Sequence, residues 1–67
     1  MFDNDLLITI AGVSRRTFYR YKERLTNQGV IQKVQQKYYD ETEAKKIAEA
    51  MGFKLKFELY VTKLVKA

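Results

Sequence analysis

The stretch Gly12-Val13-Ser14-Arg15-Arg16-Thr17-Phe18-Tyr19-Arg20-Tyr21 decides how this chain reads. Gly12-Val13-Ser14 has the make-up of a tight turn that delivers the backbone into a helix. Ser14 is suited to cap that helix, because its hydroxyl can accept from the amide of Arg16 or Thr17. The helix is expected from Arg15 to about Asn27. Its apolar stripe is Phe18, then Tyr21 or the stem of Lys22, then Leu25, spaced by three and four. Arg15, Arg16, Tyr19, Arg20, Glu23 and Arg24 fall mostly off that stripe, and Gly29 closes the helix.

Upstream, Asp3 to Ala11 reads as a shorter helix. Asp3, Asn4 or Asp5 can cap its start, where acidic groups complement the helix dipole. Leu6, Leu7, Ile10 and Ala11 share one face. Downstream, Val30 to Tyr39 changes character. Val30, Ile31, Val34, Tyr38 and Tyr39 are strand formers with Gln32, Lys33, Gln35, Gln36 and Lys37 between them. This predicts a short β-hairpin turning near Lys33 to Gln36. Asp40-Glu41-Thr42-Glu43 then starts another helix, with Asp40 as cap and Glu43 at the reciprocal position of a capping box. Ala44, Ile47, Ala48 and Met51 form its apolar face, and Gly52 ends it.

The tail supports two readings. Phe53, Leu55, Phe57, Leu59 and Val61 alternate with Lys54, Lys56, Glu58, Tyr60 and Thr62, the period of a half-buried strand. Phe57, Tyr60, Val61 and Leu64 also fit a helix. The strand, from Phe53 to Val61, is the expectation. The domain is therefore expected at 1–52, with 53–67 an apolar segment that completes the core or mediates oligomerisation.

Sixty-seven residues leave room for one small domain. Small folds usually add disulfides, a metal or a partner. The chain has no Cys and no His, so disulfides, thiolate metal sites and His-dependent catalytic triads are excluded. No cofactor, metal or catalytic residue is expected, and the chain is not read as an enzyme: Asp40, Glu41 and Glu43 are a helix start rather than a catalytic pair. The hydrophobic fraction of 46% is too high for a disordered tail, and no run approaches a membrane span. The acidic start is unlike a signal or transit peptide, so the expected location is cytoplasmic.

The net charge of +5 has an address. From Ser14 to Lys37 there are seven basic residues and one acidic, whereas the rest of the chain carries one more acidic residue than basic. Basic residues on one element, interleaved with Tyr, Ser, Thr and Gln, suit a phosphate-contacting surface.

Gly12 to Tyr21 resembles the turn and recognition helix of MerR-like proteins and of the related phage excisionases. Lys37-Tyr38-Tyr39-Asp40-Glu41 resembles their wing-to-helix junction, where an aromatic pair and an acidic cap precede the third helix. Together the matches span roughly Leu6 to Gly52. The segment from Tyr21 to Gly29 is longer than the short loop usual there, the wing has no glycine, and no ligand-sensing domain or metal-responsive cysteine follows.

The resemblance implies an α+β, mainly α fold: a winged helix-turn-helix with a β-hairpin wing, a third helix and a C-terminal strand or helix. It implies sequence-specific binding to double-stranded DNA, with the recognition helix, about 14–27, in the major groove and the wing, about 31–39, on the backbone or minor groove. Arg15, Arg16, Tyr19 and Arg20 would face base edges, where Arg reads guanine. Ser14, Thr17 and the helix N-terminal amides suit a phosphate. Arg24 and Lys22 would touch the DNA backbone, and Lys33, Gln35, Gln36, Lys37 and Tyr39 would act from the wing, the Tyr38–Tyr39 pair being expected to split, one ring packing under the wing and the other reaching the backbone with its hydroxyl. One such domain reads few base pairs, so a homodimer or cooperative assembly on DNA is expected. No membrane partner or small-molecule effector is expected. The implied roles are phage, plasmid or mobile-element transcriptional regulation, excision or DNA partition. The competing readings are a protein–protein adaptor and an RNA-binding module using the same basic surface.

Overall fold

The structure, a computed structural model, describes residues 1–66, and expectations placed on the Leu64 side chain and on residue 67 lie outside what it describes. Four helices and a minimal sheet make a mainly helical α+β fold. In chain order they are β1 (Phe2–Asp3), α1 (Asn4–Ala11), α2 (Arg15–Asn27), β2 (Tyr38–Tyr39), α3 (Glu41–Met51) and α4 (Lys54–Lys66).

The helix starts follow from their caps. The Asp3 carboxylate accepts from the Leu6 amide at 2.8 Å. Ser14 Oγ accepts from the Thr17 amide at 3.1 Å. Asp40 accepts from the Glu43 amide at 2.7 Å, while the Asp40 amide donates to the Glu43 carboxylate at 3.3 Å, so the expected capping box is complete. Each such cap satisfies amides that a helix start leaves without a partner. All three glycines sit at positive φ behind a helix. Gly29 shows why the conformation is required. With φ of 80° it lets Val30 N–H reach the Leu25 carbonyl at 2.9 Å while its own N–H reaches Thr26 at 3.1 Å. That is a Schellman turn, and it packs the apolar Val30 back toward the helix.

The same turn corrects the hairpin expected over 30–39. Val30 and Ile31 are spent on closing α2: both amides bond the Leu25 carbonyl, and Ile31 is buried. Residues 32–37 are a loop with a turn at Lys33, whose carbonyl accepts from Gln36 N–H at 3.1 Å. No Gly or Asn-Gly offers the positive φ that a tight hairpin needs. Tyr38 and Tyr39 instead pair antiparallel with the start of the chain, Tyr39 opposite Phe2 and Tyr38 opposite Asp3.

The strand expected from Phe53 to Val61 is also overturned, because the segment is α4. Its two-residue alternation is two helical stripes superimposed. Phe53 and Phe57, four apart, are buried, whereas Leu55 and Leu59, also four apart, stand 71% and 57% exposed. A strand there would need a sheet edge, and the sheet has only two residues per strand to offer.

The core gathers Phe2, Leu7, Ala11, Phe18, Leu25, Ile31, Tyr39, Ala44, Ile47, Ala48, Phe53 and Phe57. α4 packs on both α1 and α3, so residues 53–57 belong to the same core as 1–52. Lys56 of α4 donates to the Ala11 carbonyl at 3.2 Å, covering the end of α1, which has no basic residue in its last turn. Among the described residues no helix is long and apolar enough to cross a membrane.

Candidate nucleic-acid interface

The outer face of α2 is built by its buried stripe. Phe18, Lys22 and Leu25 point inward, spaced by four and three. Arg16, Arg20 and Arg24 recur every fourth residue and so form a row on the exposed side. Six of the seven basic residues between 14 and 37 are not buried: Arg15, Arg16, Arg20, Arg24, Lys33 and Lys37. The exception is Lys22.

The start of α2 breaks a rule that its neighbours keep. α1 has Asp5 in its first turn and α3 has Glu41 and Glu43, but α2 has no acidic residue there and begins with Arg15 and Arg16. Basic groups at the positive end of a helix dipole cost stability. The same end favours an anion, through its free amides and through the Arg16 guanidinium, the Arg15 guanidinium being paired with Asp5. Ser14 Oγ also donates to Thr17 Oγ1 at 2.9 Å, which holds both hydroxyls at this end.

A shallow cleft of about 240 Å³ opens beside it, lined by Asp3, Asn4, Asp5, Arg15, Tyr19, Lys37 and Tyr38. The structure thus brings Arg15 and Tyr19 of α2 together with Lys37 at the end of the loop and Tyr38 of β2. Its two acidic groups are already engaged: Asp3 caps α1, and Asp5 is hydrogen-bonded and ion-paired to Arg15. That hydrogen bond, followed by the attraction between the charges, raises the Arg15 guanidinium above its ordinary pKa. Arg16, Arg20, Arg24, Lys33 and Gln35 lie outside the cleft. Arg24 lies 5.4 Å from the centre of the half-buried Tyr21 ring, so Tyr21 flanks the stripe while Lys22 occupies it.

Two expected surface residues are internal. Lys22 is 0% exposed, so it cannot touch a DNA backbone. Its ammonium donates to the Gln36 main-chain carbonyl and to Asn4 Oδ1, the latter at 3.3 Å. It lies 5.3 Å from the centre of the Tyr19 ring and 5.6 Å from that of Tyr39. Burial pushes this ammonium below its ordinary pKa. Tyr39 is 1% exposed, and its hydroxyl, with one proton to give, donates to Asn4 Oδ1 at 2.6 Å with the Gln36 carbonyl 3.0 Å away. Burial, then the nearby Tyr19 and Glu43, raises the Tyr39 phenol above its ordinary pKa. The tyrosine that reaches solvent is its neighbour Tyr38, 60% exposed. Gln36 is also turned inward: its amide donates to the Tyr38 carbonyl at 2.9 Å and to Glu43 at 3.0 Å.

Asn4 is the hub of this buried network, a role that its sequence position hides, since a polar residue in a first turn reads only as a cap. A signal was available at the Tyr38–Tyr39 pair, where alternation puts one ring inside, and a buried phenol needs a polar partner. Among the described residues no cluster of acidic side chains could hold a metal ion. No family model, curated protein or solved structure matches the chain.

Proposed function

We propose that this chain is a sequence-specific double-stranded DNA-binding protein of the winged-helix type. In this reading α1, the turn at Gly12–Ser14 and α2 are the helix-turn-helix. The loop 32–37 with Tyr38 takes the part of the wing. One observation carries the reading: a capped helix start with no acid in its own first turn and with Arg15 and Arg16 exposed, of which Arg15 shares a cleft with Lys37 and Tyr38. A major groove admits such a helix. Arg15, Arg16, Tyr19 and Arg20 then face base edges. Ser14, Thr17 and the first amides of α2 meet a phosphate. Arg24, Lys33, Gln35 and Lys37 neutralise the backbone, and Tyr38 makes the contact expected of Tyr39.

The proposal includes self-association on DNA, because one unit of this size reads few base pairs. Leu55 and Leu59 on α4 support it, as does the apolar groove that Leu6, Ile10, Leu59 and Tyr60 line beside them. Regulation, excision or partition for a mobile element are the roles such a protein would serve.

Selection of bound duplexes from a random pool tests the function. Enrichment of one short motif, repeated with a fixed spacing, is the expected result. A pool that stays random after several rounds contradicts sequence-specific binding, and preferential retention of single- or double-stranded RNA favours the RNA reading.

A further inference from the structure

Among the described residues, Lys22 is the only charged side chain that is buried, and no carboxylate bonds it. An ammonium inside a core is costly, and an apolar side chain of similar volume often serves the core equally well or better. Packing alone therefore does not account for a lysine there. What the ammonium adds over a methionine is a charge-assisted hydrogen bond to a carbonyl. That carbonyl belongs to Gln36. The side-chain hydrogen bonds that tie residues 32–37 to the rest of the chain run through Gln36. Its carbonyl accepts from Lys22 and Asn4, with the Tyr39 hydroxyl also within reach, and its amide donates to Tyr38 and Glu43. Lys22 thus sits on the inner side of the very helix whose outer side carries the arginine row, and holds the loop by its one anchor.

We propose that Lys22 is a positioning residue for the interface: it fixes the loop 32–37 against α2, so that Lys33 and Lys37 meet the same duplex that the arginine row enters. This rests on the DNA-binding reading above. Lys22 touches no DNA; it sets the distance between two elements that do. Asn4 shares the task by donating its amide to the Gln36 carbonyl at 3.2 Å, and Tyr39 does so by donating to Asn4 Oδ1 at 2.6 Å.

The test compares the wild-type full chain with Lys22→Met, both bound to the selected duplex and free. Every phosphate that a lysine ceases to neutralise takes about 0.9 off the log–log salt slope, so release of Lys33 and Lys37 should make the slope shallower by about 1.8. The preferred base sequence should not change, because the arginine row is untouched. A Lys33→Ala, Lys37→Ala double variant should show the same loss, and adding Lys22→Met to it should change the slope no further. Without DNA, exchange of the Gln36 amide, which donates to the Lys33 carbonyl, should quicken about tenfold in Lys22→Met while the α2 and α3 amides stay protected. A merely structural role would lower protection everywhere and would add to the loop variants. If Lys22→Met loses its cooperative thermal transition, Lys22→Gln replaces it, keeping a donor without the charge. An unchanged slope with slow loop exchange overturns the proposal while leaving DNA binding intact. A wild-type chain that binds no duplex overturns the function itself, and the proposal falls with it.

Discussion

The Phe2 ring meets the Phe57 ring with centroids 5.2 Å apart and planes tilted by 48°, so the first strand and the last helix close the core on each other. Tyr60 adds a second contact to Phe2, edge to face at 6.4 Å. α4 is therefore part of what holds β1, and β1 in turn pairs with the Tyr38–Tyr39 strand beside the candidate interface.

A chain ending at Gly52 should consequently fail to fold. Phe→Ala changes in cores cost about 3–5 kcal/mol, and the core of so small a domain supplies little more than that. Phe57→Ala should leave the protein largely unfolded at room temperature, and the shortened chain should show no cooperative thermal transition by circular dichroism. A fragment of residues 1–52 that still melts cooperatively would refute this account of α4.

Asp40→Ala removes one half of a capping box whose other half, Glu43, also holds Gln36. The expected cost is about 1 kcal/mol, which for a domain of this size lowers Tm by about 4–8 °C. Calorimetry on the single variant measures it, and a Tm equal to wild type would mean the cap is energetically idle.

Tyr39 predicts a specific alkaline behaviour. The native state keeps this phenol protonated above its ordinary value of 10.0, while the unfolded chain ionises there. The native state then binds more protons, so the stability this group contributes is intact below pH 10 and is lost as pH rises past it. Lys22 has the opposite sign. Its native pKa lies below 10.5, so between the two values the unfolded chain binds more protons and stability from this group rises with pH. Denaturant titrations of wild type and Tyr39→Phe from about pH 8 to 11 isolate the first effect. Wild type should lose stability relative to Tyr39→Phe above pH 10, and parallel curves would contradict the assignment.

The two neighbouring tyrosines should separate stability from binding. Tyr38→Ala should leave Tm nearly unchanged and weaken duplex binding, whereas Tyr39→Ala should unfold the protein by opening the core and stranding Asn4 and Lys22. Equal effects on Tm would contradict the inside–outside division of the pair.

How far the sequence discloses this structure depends on the range of the interaction. Ser14, Asp40 and Glu43 act within one helical turn, so their caps are legible from residue type and spacing alone. Gly29 as the end of α2 is legible too, but the part of Val30 and Ile31 in that closure is not, because they carry the same apolar signature whether they pair in a strand or bond the Leu25 carbonyl. The α4 helix hides behind a period of two, since Phe53–Phe57 and Leu55–Leu59 are each four apart. At the candidate site, the exposed arginines are legible as the charge excess of residues 14–37. The stem of Lys22 is legible as a member of the stripe, but the burial of its ammonium is not, because that depends on Asn4, Gln36 and Tyr39, which lie far from it in the chain and meet it only through tertiary packing.

The most direct test of the DNA-binding account is a salt titration of affinity for the selected duplex, run on wild type, Arg16→Ala and Arg20→Ala. Affinity should fall steeply with salt, by about 0.9 in log–log slope for each phosphate neutralised. Arg20→Ala should cost about 1–3 kcal/mol and relax the preference at one base position. Equal binding to any duplex, unchanged by Arg16→Ala and Arg20→Ala, would contradict α2 as the element that reads DNA.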